Sequence, residues 1–357
     1  MINNTSDNKT ISLKGKRVLV TGAAGFIGSY LCKRLLEKEE VSEVIGIDQL
    51  NDYYDPALKQ HRLGWLKEHS NFVFIKGDIA DKSVVTEVFE KYRPQIVVNL
   101  AAQAGVRYSL ECPDAYIASN IIGFFNVLEC CRYNPVEHLV YASSSSVYGD
   151  IGRDDGVPFS TEEKTDSPVS LYAATKKTNE LMAHVYSRLF NIPATGLRFF
   201  TVYGPAGRPD MAYFSFADTL RRGGKIKVFN YGRCKRDFTY IDDIIEGVVR
   251  VMHRPPSGGV GDIPFAIFNI GNQSPVGLMD FIEVLCTELK RAGVLPEDLK
   301  LEDHMELVPM QPGDVETTYA DVSALVKLTG FSPKTDISYG LGRFADWYAD
   351  YYLHRED

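Results

Sequence analysis

A tyrosine and a lysine four residues apart, Tyr172 and Lys176 in LYAATK, could between them move a proton. On a helix this spacing puts both side chains on one face. An ammonium beside a phenol favours phenolate and draws its pKa down from about 10 toward operating pH. Upstream, four serines at 143–146 end an apolar, strand-like stretch, HLVYASSSS. A hydroxyl from that run, Ser144, could share a substrate oxygen with Tyr172, with Ser145 next to it. Such a set serves an alcohol being oxidised, as the base that takes its proton. Singly, each piece has a plainer reading: a solvated helix face and a polar loop. Their order behind a third motif reverses the weighing.

That motif is TGAAGFIG at 21–28. Gly22, Gly25 and Gly28 allow a tight turn, close approach of backbone to a pyrophosphate and close packing of the following helix. Phe26 and Ile27 open that helix, whose free N–H groups suit phosphate oxygens. A glycine pattern alone is weak. Here a strand precedes it, a helix follows, and Asp48 closes the next strand 20 residues after Gly28. A carboxylate there accepts ribose hydroxyls and repels a 2′-phosphate, which selects NAD over NADP.

These groups need a frame. KRVLV, VSEVIGIDQL, NFVFIKGDIAD, PQIVVNLAAQ, HLVYASSSSVYG and PATGLRFFTVYGP read as six short apolar strands, with helices between them, notably at 113–133 and 169–190. Strand–helix alternation implies an α/β fold: a Rossmann-type, doubly wound parallel sheet covered on both faces. After residue 203 the texture changes. KIKVFNYGRCKRDFTYIDD reads as a strand pair and a helix start, and FAIFNIGNQSP returns to strand. The expected division is a dinucleotide domain at 1–202 with returns near 239–274, and a smaller α/β substrate domain at 203–238 and 275–357.

The chain resembles the nucleotide-sugar epimerase branch of the extended short-chain dehydrogenases/reductases over nearly its whole length. TGAAGFIG, KGDIAD, NLAAQAGVRYS, YASSSSVYGD, LYAATK, RDFTYIDD and PGD carry the likeness. Longer stretches, LNDYYD, FFTVYGPAGRPDMA, NYGRCKRDFTYIDD and VPMQPGDVETTYADV, resemble the UDP-glucuronate 4-epimerases within that branch. One departure is Ala206, where those enzymes commonly have tryptophan, in the loop expected to face the sugar. The resemblance implies Tyr172 as base, Lys176 as its electrostatic partner and ribose ligand, and Ser144 beside them. It implies Asp78 and Ile79 at the adenine, Leu100, Ala101, Ala102 and Gln103 along the cofactor, and Phe199 near the nicotinamide. For the sugar nucleotide it implies Thr201 and Arg208 at a carboxylate, Arg236 at the diphosphate and Asp314 at the uridine ribose. It also implies a homodimer through the helices at 113–133 and 169–190.

The activity so implied is inversion of carbon 4 of UDP-glucuronate. The 4-hydroxyl loses its proton to Tyr172 and its hydride to NAD, the keto sugar turns about its diphosphate tether, and hydride returns to the other face. Oxidation makes a β-keto acid, so the carboxylate must be held out of line with the carbonyl, and Thr201 with Arg208 are the candidates. The basic run at 221–236, seven Lys/Arg without Asp/Glu in a chain of net charge −8, independently supports a diphosphate cation at Arg236. Epimerisation of a neutral UDP-sugar, decarboxylation on the same fold, and a non-catalytic NAD sensor are the alternatives. A dehydratase would carry Asp-Glu where Ser145 and Ser146 stand. The acidic balance argues against general nucleic-acid binding. No run approaches a membrane span of about 20 apolar residues, the first dozen residues are polar, and six cysteines show no metal-like spacing. A cytoplasmic, metal-free protein is expected.

Overall fold

A computed structural model describes residues 10–149, 156–258, 261–310 and 317–353. In chain order its strands are β1 (Arg17–Thr21), β2 (Glu43–Asp48), β3 (Phe72–Lys76), β4 (Ile96–Asn99), β5 (His138–Ser144), β6 (Ala194–Phe199) and β7 (Thr201–Tyr203). They continue with β8 (Ile226–Val228), β9 (Lys235–Tyr240), β10 (Phe265–Ile270), β11 (Pro275–Gly277), β12 (Met305–Leu307) and β13 (Thr317–Thr318). The large sheet has the order β10-β6-β5-β4-β1-β2-β3, and every pairing in it is parallel.

Period-two alternation decides which helices cover which face. Val18 and Val20 of β1 enter one core with α1 (Phe26–Lys38), α2 (Pro56–Lys67) and a later helix at Ile241–Met252. Leu19 points the other way, with Ile45, Ile47 and Val97, beneath α3 (Lys82–Tyr92) and the helices that follow β4 and precede β6. With both faces buried, a strand such as β4 can carry apolar residues in succession, here Ile96, Val97 and Val98. The fold is the doubly wound α/β sheet that the spacing predicts.

Three predicted elements come out differently. The sixth strand breaks at Phe200: β6 stays in the large sheet, while β7 crosses to pair with β9 in a second sheet, taking the chain over the cleft. The expected strand pair in KIKVFNYGRCKRDF does not pair with itself, because β8 takes β12 as partner and β9 lies between β11 and β13. The helix at 113–133 is interrupted. After a short α4 (Tyr108–Glu111) come α5 (Pro113–Tyr116), a π-helical turn at Ile117–Gly123 and α6 (Phe124–Tyr133). Gly123 explains the wide turn in part: a Cβ there would stand 2.6 Å from Cγ1 of Ile79, so the helix approaches the loop after β3 closely. By contrast α7 (Leu171–Phe190) starts close to its predicted point, where the Ser170 hydroxyl caps it by accepting the Ala173 N–H at 3.1 Å. The remaining helices are α8 (Ala212–Arg221), α9 (Ile241–Met252), α10 (Leu278–Arg291), α11 (Ser323–Thr329) and α12 (Ile337–Leu353). Among the described residues no helix is long and apolar enough to cross a membrane.

Candidate active site

All seven parallel strands present their carboxyl ends at one edge. From β1 the chain winds toward β2 and β3, whereas β4, β5 and β6 run to the other side, so a crevice opens between them. A cleft of about 460 Å³ lies there. Its wall includes Gly22, Gly25, Phe26, Ile27, Gly28, Asp48, Asp78, Ile79, Leu100, Ala101, Ala102, Gln103, Phe199, Tyr172 and Lys176. Every residue predicted for the dinucleotide therefore meets in one place. Ser144, Ser145, Thr201 and Arg208 stand on the same wall.

The glycine turn is tight for reasons of space. Gly22 has φ +70°, and a Cβ on it would stand 2.8 Å from the Ala101 amide nitrogen at the end of β4. A Cβ on Gly28 would stand 2.1 Å from the Gly22 carbonyl oxygen. Helix α1 then begins with Gly25 as N-cap, no side-chain acceptor on its first amides and no acidic residue in its first turn. That is an anion cradle. The Asp48 carboxylate accepts the N–H groups of Ala24 at 3.1 Å and Leu50 at 2.8 Å, which ties the turn to the end of β2. Each oxygen keeps further acceptor capacity for a ribose. Lys59, buried on α2, shares this wall and donates to the Asn51 carbonyl at 2.9 Å. The donor set fits a dinucleotide.

At the catalytic end, β5 delivers Ser144 and the first two turns of α7 deliver Tyr172 and Lys176. Lys176 is 4% exposed, and burial pushes its ammonium down to about 8. Its Nζ donates to the Ala142 carbonyl at 2.8 Å and lies 5.9 Å from the centre of the Tyr172 ring. The ammonium thus stands on the same side of α7 as the phenol ring, as the spacing predicts. One of its three hydrogens goes to the β5 backbone, and burial outweighs the expected lowering and holds the Tyr172 phenol above its ordinary range. Two groups pull it back, a hydrogen bond with Ser144 and the positive charge of Arg208, while Asp210 pushes it up. Under the dyad, Arg198 of β6 donates from Nε and Nη2 to both oxygens of Glu180 at 2.8 and 2.9 Å. Ser143 donates to the same carboxylate at 2.7 Å. Glu180 sits one turn beyond Lys176, so this buried pair locks α7 onto β5 and β6.

The other end of the cleft is built from loops. Arg208 donates from Nε and Nη2 to the two oxygens of Asp210, at 3.0 and 2.8 Å. The loop that carries it is held by Arg62, fully buried on α2. That guanidinium donates to the carbonyls of Ala206 at 2.9 Å, Gly207 at 2.8 Å and Ala24 at 3.2 Å, and to the Tyr54 hydroxyl at 2.7 Å. Ala206 is buried with φ 50° and is absent from the cleft wall. Its carbonyl is turned to Arg62 and its methyl lies in the core, while the loop that carries it reaches the cleft through Arg208.

Arg236 is not on the cleft wall. It lies on β9 between β11 and β13, with Nη1 donating to the Lys235 carbonyl at 2.9 Å. Asp314 lies outside the described residues. Of the basic run, Arg221 and Arg222 are ion-paired to Asp218. Residues that spacing did not single out are Lys59, Arg62, Tyr53, Asp210 and the Glu180–Arg198 pair. Tyr53 and Asp210 fall within LNDYYD and GRPDMA, so the stretches were legible while the contacts were not.

The family model for the "NAD dependent epimerase/dehydratase family" matches residues 18–271. The chain belongs to that family. Its cofactor is accordingly NAD. This NAD-dependent epimerase/dehydratase is 47% identical over 347 residues to Protein CapI of Staphylococcus aureus, covering 94% of this chain and 99% of that protein. It is 45% identical over 349 residues to UDP-glucuronate 4-epimerase 3 of Arabidopsis thaliana, covering 95% of this chain and 78% of that one. Among solved structures, the UDP-glucuronic acid 4-epimerase from Bacillus cereus in complex with UDP-glucuronic acid and NAD superposes with TM-score 0.83 at 32% identity, over 94% of this chain and 100% of that chain. The fold and the family are thus those expected from the motifs.

Proposed function

We propose that the protein is an NAD-dependent UDP-glucuronate 4-epimerase, which inverts carbon 4 of its substrate to give UDP-galacturonate. One observation carries the choice of sugar: a guanidinium, Arg208, shares a cleft wall with the acid–base tyrosine and Thr201. A carboxylated sugar needs a cation there, and a neutral one does not. The named relatives support the same reading.

In this reading residues 1–202 with the returns near 239–274 hold the dinucleotide, and 203–238 with 275–357 hold the nucleotide-sugar. Bound NAD supplies a reversible hydride acceptor. Gly22, Gly25 and Gly28 bring backbone to its pyrophosphate, and Asp48 accepts from its ribose. Tyr172 takes the proton of the 4-hydroxyl and later returns it, with Ser144 holding the same oxygen. Burial keeps the phenol protonated at rest, so the charge of Arg208 and the Ser144 hydrogen bond matter to its ionisation. Arg236 and Asp314 are proposed for the diphosphate and the uridine ribose. Firm anchors at that end leave the sugar free to turn.

The test is to incubate the purified protein with UDP-glucuronate without added NAD and resolve the 4-epimer from UDP-pentose. Accumulation of the 4-epimer is expected. Pentose as the main product, or epimerisation of UDP-glucose in preference, overturns the assignment.

We also propose a cytoplasmic homodimer. Ile122, Phe125, Leu181, Val185 and Leu189 are exposed large apolar side chains on the π turn, α6 and α7. A second copy placing the same helices against them would cover the stripe. Light scattering of wild type and Leu181→Glu is expected to give a dimer and a monomer.

A further inference from the structure

Three loops leaving three different strands meet on one charged pair. Arg208, after β7, is gripped side-on by Asp210, two residues along the same loop, at 3.0 and 2.8 Å. From the loop after β2, the Tyr53 hydroxyl donates to the same Asp210 Oδ2 at 3.1 Å. From the loop after β4, Gly105 closes over both. A Cβ there would stand 2.8 Å from the Tyr53 hydroxyl and 3.8 Å from Asp210 Oδ2, and its φ is +98°.

Position distinguishes the members. Arg208, Tyr53 and Gly105 are on the cleft wall, whereas Asp210 is not. The carboxylate, exposed to solvent, holds the guanidinium from outside that wall. It occupies the Nε–Nη2 edge, and Nη2 also reaches Met211 Sδ at 3.6 Å. Among the described residues, Nη1 donates to none. A guanidinium has two edges that can each take a carboxylate with parallel hydrogen bonds. With the Nε–Nη2 edge held by Asp210 and the second Nη2 hydrogen directed at sulfur, Nη1 has its direction set before ligand arrives.

We infer that Asp210 and Tyr53 are positioning residues that decide acid against neutral sugar by aiming Arg208 at the carboxylate on carbon 5. The inference rests on the proposed epimerase reading and adds the part that enforces it. An arginine held in one orientation has already lost the rotamer freedom that binding would otherwise cost. Tyr53 stays a donor, since burial and the Asp210 charge push its phenol up to about 12. Direction matters after oxidation. If the carboxylate swings into line with the carbon 4 carbonyl, the bond between carbon 5 and the carboxyl carbon breaks. Carbon dioxide leaves, and the bonding pair passes to the keto group as an enolate, which a proton then quenches to a keto-pentose. A fixed guanidinium keeps the carboxylate out of that alignment.

The experiment compares wild type with Asp210→Asn, which keeps shape and one acceptor but not charge, and with Tyr53→Phe. Titration calorimetry uses UDP-glucuronate and UDP, and turnover on UDP-glucuronate is resolved into 4-epimer and pentose products. For Asp210→Asn we expect affinity for UDP-glucuronate to fall roughly 10-fold, UDP affinity to hold, and the pentose fraction to rise. Tyr53→Phe should move the same readouts in the same direction by less. In an Arg208→Lys background, Asp210→Asn should add nothing. Equal weakening of UDP and UDP-glucuronate, or an unchanged product ratio in both variants, overturns the inference. Failure of the wild type to epimerise UDP-glucuronate overturns the parent reading instead, so the two failures are told apart by the wild-type arm. If Asp210→Asn does not fold, Tyr53→Phe decides alone.

Discussion

On the dinucleotide side of the cleft, chemistry stands on strand ends and helix starts. Gly22 and Asp48 close β1 and β2, Ser144 ends β5, and Tyr172 and Lys176 open α7. On the sugar side it stands on loops: Arg208 and Asp210 follow β7, Tyr53 follows β2, and Arg62 reaches across from α2 to hold the Arg208 loop by its carbonyls. The first wall is positioned by sheet register, which packing on both faces fixes. The second is positioned by hydrogen bonds between segments as distant as the 157 residues from Tyr53 to Asp210 and the 145 from Arg62 to Gly207. The difference separates two tasks. A wall that takes the same cofactor on every turnover can be rigid. A wall that must tell one sugar from another is adjustable by single side chains.

That contrast can be broken at four points. The largest effect is expected from Tyr172→Phe, which removes the proton acceptor and should lower kcat by roughly 10²–10⁴-fold. NAD content of the purified variant should stay at the wild-type level. Next, Arg208→Ala should cost about 10²-fold in kcat/KM on UDP-glucuronate and shift product toward UDP-pentose, because a half-buried charged anchor is lost. Normal epimerisation by that variant would falsify the division of labour drawn above. Third comes pH. The Lys176 ammonium is pushed down to about 8 by burial, so its charge is present below that pH and lost above it. We expect kcat/KM to fall by up to about tenfold per pH unit beyond that point. In Lys176→Arg, whose guanidinium keeps its proton, any remaining activity should lack this limb. The smallest effect is expected at Arg236, which is not on the cleft wall. Arg236→Ala should raise KM only a few-fold, and added salt should shrink the difference. An unchanged KM would remove Arg236 from the proposed diphosphate contact.

Much of the first wall was legible in the sequence because its residues sit at fixed offsets from one glycine turn and one helix start. Asp48 follows Gly28 by 20 residues, and Lys176 follows Tyr172 by one turn. What the spacing misjudged there was energetic. It placed the ammonium beside the phenol, where the structure has it, but left out burial, which pushes the phenol up. The second wall was legible only as stretches. Nothing local to GRPDMA says that Asp210 occupies the guanidinium two residues before it, or that Tyr53 arrives from another loop. The π turn at Ile117–Gly123 was likewise invisible, since its cause is tertiary. There the Asn120 amide accepts the Gln103 N–H at 2.8 Å and donates to Thr175 Oγ1 at 2.9 Å, contacts that only the folded sheet brings together. The break at Phe200 was hidden for a similar reason: the strand-like run is unbroken, and the change of partner is made by β9.

Arg62 has a consequence for anyone redesigning sugar preference. Its one guanidinium holds the carbonyl of Ala24 in the glycine turn and those of Ala206 and Gly207 in the arginine-bearing loop. A chimera that imports residues 204–211 alone from a relative would seat a foreign backbone on a fixed fork of donors. Any mismatch would strand buried carbonyls and disturb the glycine turn as well. Transplants here should travel as a package, with positions 54 and 62 carried along.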